Sequence, residues 1–259
     1  VLGIAGESGC GKSTLVNALI GNERNIVTDI PGTTRDTIYT HYNKFNHEFY
    51  LVDTAGLRKK AKVRDNIEFY SVMRTIKAIE NSDICLLLIE AHEDMNAQDL
   101  NILHLVQKNN KGLIILANKW DLVEKDQNTM VAFEKKIKDK IEPFTDVPVI
   151  FTSALTKQRI QNVLETVEHV YENRKRRIST SKLNEVLQVA IETYRPPMVR
   201  GRHIKIKYVT QLKTRYPAFA FFCNHPDFVK DSYKRYLENT IRKHFDFSGV
   251  PFKMYFRKK

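Results

Sequence analysis

The sequence predicts an α/β fold with a mostly parallel sheet over residues 1–173, followed by a small α+β domain over residues 174–259. Three observations carry that prediction. Short apolar runs alternate with longer helical patterns from Val1–Ala5 through the stripe of Val163, Val167 and Val170, which is the signature of strands joined by helical crossovers. The run Arg174-Lys175-Arg176-Arg177, followed by Ser179, Thr180 and Ser181, ends that pattern. The charge changes at the same place: residues 1–173 hold 21 Lys+Arg against 24 Asp+Glu, and residues 174–259 hold 21 against 6, so the halves carry −3 and +15.

In chain order, the first-domain strands are expected at 1–5, 37–44, 47–53, 83–89, 112–118 and 147–152, with helices filling most of the gaps. Ile84–Ile89 and Leu113–Ala117 are continuous apolar runs, as strands covered on both faces require. The strands at 37–44 and 47–53 lie too close for a crossover helix and form an antiparallel hairpin. The second domain reads as a helix at 181–193, strands at 203–210 and 217–223, a helix at 226–244 and a strand at 251–256. Pro196, Pro197 and Gly201 punctuate it. Phe219, Phe221 and Phe222 read as core strand residues, given their alternation and apolar neighbours.

At 259 residues, 42% apolar and 28% charged, the chain is long enough to bury one sizeable core and a smaller second one. Its apolar runs fall far short of the roughly 20 residues that span a membrane, so no membrane partner is expected. No basic and apolar leader precedes the motif that starts at Gly6, so no targeting segment is expected within the chain. Cys10, Cys85 and Cys223 lack CxxC spacing; neither a zinc site nor a disulfide framework is expected, and a reducing compartment fits. His41, His47 and His92 show no metal spacing and read as surface or packing residues.

Gly6-Glu7-Ser8-Gly9-Cys10-Gly11-Lys12-Ser13 fits GxxxxGK[ST], between an expected strand and an expected helix that continues with Thr14. The glycines let backbone N–H groups converge on phosphates at the helix N-terminus, Lys12 reaches the outer phosphates, and the Ser13 hydroxyl ligates magnesium. Asp53-Thr54-Ala55-Gly56, with Leu57 next, ends an apolar strand about 40 residues later. There Asp53 holds the metal and the Gly56 amide swings toward the terminal phosphate. Thr33 and Thr34 fall in the loop between the first helix and the second strand, where a hydroxyl, assigned to Thr34, closes over the metal and the terminal phosphate. Lys12, Thr34 and Gly56 are the expected catalytic groups, and Ser13, Thr34 and Asp53 the expected metal ligands.

Asn118-Lys119-Trp120-Asp121 follows an apolar run and matches NKxD. An ionised carboxylate only accepts hydrogen bonds. Guanine offers N1–H and a 2-amino group side by side and adenine does not, so Asp121 selects guanine. Ser153-Ala154, after an apolar strand, places a backbone N–H near guanine O6; a helix start is the plainer reading of Ser153. The loop at Gly6 alone also suits ATPases and small kinases, and Asp121 argues against ATP. The expected ligands are GTP or GDP with Mg2+.

These motifs, in this order and spacing, resemble a translation-factor-related GTPase. Pro31-Gly32-Thr33-Thr34-Arg35-Asp36, Asp53-Thr54-Ala55-Gly56-Leu57-Arg58-Lys59-Lys60 and the NKWD box are similar to the second GTPase domain of the Der (EngA) family of bacterial ribosome-assembly GTPases. The likeness continues through Tyr208-Val209-Thr210-Gln211 and Pro217–Pro226 to the C-terminus, and so covers essentially the whole chain. The resemblance implies a P-loop GTPase domain, a KH-like domain, and a further GTPase domain preceding this chain in the full-length protein. It implies a cytoplasmic bacterial monomer whose partners are ribosomal RNA and the large ribosomal subunit. It also implies a K+ ion at the phosphates, ligated by an Asn of a GxPNxGKS loop. Here Gly9 occupies the Asn position and Ser8 the Pro position, so only backbone carbonyls remain to hold the ion, and hydrolysis is expected to be slower or less cation-dependent than the family norm. Leu57 stands where Ras-like enzymes place a water-orienting Gln. The alternative reading is a nucleotide-sensing RNA-binding module with little turnover.

The basic surplus seeks a polyanion, RNA being the commonest. Arg200, Arg202, Lys205, Lys207, Lys213 and Arg215 interleave with Tyr208 and Tyr216, supplying phosphate contacts and stacking faces. Gly201 and Gly249 are the only glycines in 174–259, so no GxxG clamp is present, and structured RNA or the GTPase domain, bound by charge and shape, is the expected partner. The run from Arg58 to Arg64, five basic residues in seven, reads as either a solvated loop or an RNA-touching switch.

Overall fold

The computed structural model describes residues 1–20, 27–28, 39–44, 47–52, 67–124, 126 and 128–259, which divide into one unit of Val1–Tyr171 and another of Glu172–Lys259. In the first unit, β1 (Leu2–Gly6), β2 (Val27–Thr28), β3 (Tyr39–Lys44), β4 (His47–Val52), β5 (Ile84–Glu90), β6 (Gly112–Asn118) and β7 (Val149–Phe151) make one sheet in the order β2-β3-β4-β1-β5-β6-β7. The pairings from β4 across to β7 are parallel, and those of β2 with β3 and of β3 with β4 are antiparallel. Among the described residues the sheet is joined by helices α1 (Lys12–Ile20), α2 (Ile67–Glu80), α3 (Ala97–Lys108), α4 (Thr129–Lys140) and α5 (Ile160–Lys175), the last of which runs on past Tyr171 into the second unit.

Every residue of β1 and of β6 is buried. That is why these strands are unbroken apolar runs, whose interior is stabilised by roughly 25 cal/mol per Å² of apolar surface removed from water. Leu87, Ile89, Leu103, Val106, Ile115 and Phe151 belong to the resulting core. Asn96 caps α3 reciprocally with Asp99: its Oδ1 accepts from the Asp99 N–H at 3.1 Å, and Asp99 Oδ2 accepts from the Asn96 N–H at 3.3 Å. The hairpin β3–β4 is strapped to α5 by buried His47, whose Nδ1 lies 2.5 Å from Glu168 Oε1 while its Nε2 accepts from Gln161 Nε2 at 3.1 Å.

The short strand Val27–Thr28 was not expected, because two residues make no periodic signal. The expected strand at 147–152 contracts to Val149–Phe151: Pro148 has no N–H to donate and joins the edge only through its carbonyl, which accepts from Ile115 N. Among the described residues no helix is long and apolar enough to cross a membrane.

The second unit runs α6 (Thr180–Thr193), β8 (Ile206–Gln211), β9 (Ala218–Cys223), α7 (Asp231–His244) and β10 (Lys253–Lys258). Its sheet has the order β10-β9-β8, with β8 antiparallel and β10 parallel to β9. Leu183, Leu187 and Ile191 of α6 and Tyr233, Leu237 and Ile241 of α7 close over Phe219, Phe221 and Cys223. Asn184 covers the free backbone edge of β8, donating to Val209 O at 2.7 Å and accepting from Val209 N at 2.8 Å, which removes a site for unwanted strand pairing. The helix expected at 226–244 is split into a 3-10 turn, Pro226–Phe228, and α7. Extended Val229 and Lys230 separate them, Val229 going into the core.

Candidate nucleotide site

The parallel strands bring their carboxyl ends to one edge, where the register sets Gly6 beside Leu88, Glu90 beside Asn118 and Ala117 beside Phe151. The loop from Gly6 to Gly11 turns there into α1. Gly6 and Gly11 have φ of +142° and +102°, and an added Cβ would lie 2.4 Å from Leu88 O and 2.3 Å from Asn118 Nδ2, respectively. Only glycine meets both demands. Lys12 opens α1, and its Nζ donates to Gly6 O at 2.9 Å and to Glu7 O, so the ammonium is folded against the loop that precedes it. Ser8, Gly9, Ser13 and Thr14 are exposed, whereas Cys10 is buried. Burial pushes the Cys10 thiol up, against the opposing pull of Lys12; it is a packing residue.

Asn118, only 3% exposed, ties three segments together. Its Nδ2 donates to Cys10 O at 2.8 Å, and its Oδ1 accepts from Ala154 N at 3.0 Å and from Thr152 Oγ1 at 3.4 Å. Of the Ser153-Ala154 pair expected to place a backbone N–H near guanine O6, the Ala154 N–H is therefore directed at Asn118 in this structure. Ser153 is not a helix start: its Oγ accepts from Thr156 N at 3.1 Å, and α5 begins only at Ile160. Trp120 is buried against Phe151, with ring centroids 4.5 Å apart, and its backbone N–H donates to Thr152 O at 3.0 Å. That anchor leaves Asp121 exposed in the 3-10 turn Trp120–Leu122, at the same strand edge as the loop.

One residue of this site went unseen in the sequence. Glu90, the last residue of β5, places Oε2 2.6 Å from Lys119 Nζ and 3.2 Å from His92 Nε2. Its carboxylate is also 3.7 Å from the position of a Cβ on Gly9. The available signal was an acid closing a wholly apolar strand, aligned with Asn118. Glu90, His92 and Glu93 cluster with their ligating atoms within 4.8 Å of one another, but Lys119 already balances the central carboxylate. Thr33, Thr34, Asp53, Thr54, Ala55, Gly56, Leu57 and the run Arg58 to Arg64 lie outside the described residues.

The residues present fit a phosphorylated purine. A glycine loop lined by backbone N–H groups at a helix N-terminus, with a lysine beside it, suits phosphate, and an exposed carboxylate on a rigid turn suits a base that offers paired donors. In the second unit Arg200, Arg202, Lys205, Lys207, Lys213 and Arg215 are all exposed. Phe222 departs from the expected core role: Phe219 and Phe221 are fully buried, but Phe222 is only half-buried and stacks on Tyr208 at 4.5 Å.

Residues 1–119 match the family described as 50S ribosome-binding GTPase, and residues 177–257 match the KH-domain-like C-terminal domain of EngA bacterial GTPase enzymes. The chain is 56% identical over 259 residues to GTPase Der of Porphyromonas gingivalis, covering 100% of this chain and 59% of the relative. It is 54% identical over 256 residues to GTPase Der of Christiangramia forsetii, covering 99% of this chain and again 59% of the relative. The chain thus spans about three fifths of the length of the curated relatives it matches. Among solved structures it resembles Aquifex aeolicus Era bound to GDP·AlF4−, with a TM-score of 0.50 at 18% identity over 100% of this chain and 92% of that one. Era in complex with MgGDPNP and nucleotides of 16S ribosomal RNA gives the same score and identity, over 100% of this chain and 93% of that one. At that identity the likeness is one of fold: a P-loop GTPase α/β domain followed by a smaller C-terminal domain.

Proposed function

The chain belongs to the Der (EngA) family of GTPases, and from that membership we propose that it binds GTP and GDP with magnesium, hydrolyses GTP, and acts in assembly of the large ribosomal subunit through its basic KH-like domain. The observation that carries the nucleotide reading is the single strand edge at which Asn118 joins the loop of Gly6–Ser13 to Asp121 and to Ser153-Ala154. Asp121 accepts from guanine N1–H and the 2-amino group, and Lys12 leaves its loop carbonyls for the outer phosphates. Ser13, Thr34 and Asp53 hold magnesium, which when bound neutralises charge on the phosphate oxygens. Thr34 and the Gly56 amide close on the terminal phosphate. Residues 1–173 form the GTPase domain and 174–259 the RNA-seeking domain of a bacterial, cytoplasmic, monomeric protein whose full length carries a further GTPase domain before this one.

Lys12→Ala tests the mechanism. Removing a charge-assisted contact made to the outer phosphates lowers single-turnover GTP hydrolysis at least about 100-fold, the scale of losing one transition-state donor. An unchanged rate overturns the mechanism.

Gly9 and Leu57 favour a second reading, in which nucleotide controls RNA engagement with little turnover. Single-turnover hydrolysis in potassium and in sodium, with and without large ribosomal subunits, separates the two. Hydrolysis that stays negligible under all four conditions selects the second.

A further inference from the structure

In the second unit both helices cover one face of the three-stranded sheet, and the strand register defines the other face. Tyr208, Phe222 and Arg257 make one cross-strand row, and Thr210, Ala220 and Tyr255 the next. Ala220 is itself 0% exposed, covered by the side chains around it. Tyr208 and Phe222 stack at 4.5 Å with 17° between their planes. Tyr255 is 37% exposed, and its hydroxyl shares a hydrogen bond with Tyr216.

The charges on this face lean entirely one way. Lys259 Nζ sits 4.6 Å from the Tyr208 ring centroid, the Arg257 guanidinium 5.9 Å from that of Tyr255, and Lys253 Nζ 5.8 Å from that of Tyr216. The six acids of residues 174–259, Glu185, Glu192, Asp227, Asp231, Glu238 and Asp246, all lie on helices, the 3-10 turn or the loop after α7, and none lies on a strand. These three cations rest over aromatic rings, so the face keeps its positive charge. It offers flat rings and cations together. A ligand that complements both presents unpaired base faces and regularly spaced phosphates. A duplex hides its base faces and can use only the charges.

We infer that the open sheet face of the second unit, built on Tyr208, Phe222 and Tyr255 and flanked by Lys253, Arg257 and Lys259, is a stacking platform for single-stranded RNA. Bases lie on the rings, and the cations now resting over those rings turn to the phosphates. This rests on the RNA-seeking reading above and replaces structured RNA with unpaired RNA as the ligand of this face.

The test uses the full chain and fluorescence anisotropy at one fixed salt concentration. The probes are a 12-nucleotide single-stranded RNA, a duplex RNA and an abasic strand, matched in phosphate number. Tyr208→Ala and Tyr255→Ala each weaken single-strand binding about tenfold, within the range measured for losing one base–aromatic stack. Tyr208→Phe and Tyr255→Phe, which keep the rings, bind as the parent does, and abasic and duplex affinities change less than twofold in any variant. Unchanged single-strand affinity in both alanine variants overturns the platform. So does an equal loss on the abasic strand, or failure of the phenylalanine variants to bind as the parent. If the unsubstituted chain binds none of the three probes, the RNA-seeking reading itself falls.

Discussion

The two sheets of this chain place their chemistry differently. In the sheet of the first unit, β1, β5 and β6 are buried along almost their whole length and are apolar up to the residues that end them, so nothing reactive lies on their faces. Its polar groups collect in the loops at one edge, held by a buried asparagine. The sheet of the second unit is covered on one face only, and its other face is itself the polar surface. A covered sheet must work from its strand ends, where consecutive residues form a loop. An open sheet can work from its face, where the cooperating residues come from different strands.

The sharpest way to break this comparison is at Gly11. A Cβ there lands 2.3 Å from Asn118 Nδ2, so Gly11→Ala pushes the phosphate loop off the side chain that joins it to Thr152 and Ala154. GDP binding measured by calorimetry falls at least about 100-fold, since buried polar partners left unsatisfied cost about 1–3 kcal/mol each and the loop geometry is lost with them. RNA affinity in the second unit stays within twofold. If RNA binding falls in parallel, the two units do not work separately.

This contrast also explains what could be read in the sequence. The strands Gly112–Asn118 and His47–Val52 were legible because their apolar or alternating patterns are local. The loop at Gly6 and the NKWD box were legible because a strand end writes its chemistry in consecutive residues. Glu90 was not, because its meaning comes from lying opposite Asn118 across a parallel pair. Nor was the clamp made by Asn118, since motif spacing does not distinguish a side chain that holds the loop from one that touches the ligand. Phe222 was misread because three neighbouring apolar residues look alike in sequence, while the pleat sends the middle of Phe221, Phe222 and Cys223 to the opposite face from the other two.

A medium effect sharpens the picture of the first unit. Burial drives the Asp99 carboxyl from 3.8 up to about 6; the hydrogen bond from Asn96 opposes this, and Glu7, Glu90 and Glu93 reinforce it. A raised carboxyl binds its proton more tightly in the fold than in the unfolded chain. Its contribution is fully present below about pH 3.8 and is lost as pH rises through about 6. Asp99→Asn keeps an oxygen for the Asn96 N–H and removes the charge. Its stability relative to the parent therefore rises between pH 4.5 and pH 7.5, by about 1–2 kcal/mol. Trp120 is the only tryptophan in the chain and is buried in the first unit, so its fluorescence in urea follows that unit alone. A stability difference that does not vary with pH removes Asp99 as the source.

The smallest effect decides whether the site extends beyond its motifs. Glu90 holds Lys119 at 2.6 Å, with side chains 18% and 30% exposed, so solvent screens part of the pair and its net worth is about 0.5–1 kcal/mol. Lys119 has φ of +61° immediately before the turn that carries Asp121, and the ion pair holds its side chain against β5. Glu90→Gln keeps the shape and removes the charge. GDP affinity then falls about threefold, and less so as salt is raised, since added salt already weakens the pair in the parent. The urea midpoint of the Trp120 signal moves little. Unchanged affinity at low salt confines recognition to the consecutive residues of the loops. A threefold loss instead makes Glu90, seven residues along a neighbouring strand, part of how the base and phosphate ends of the site are held together.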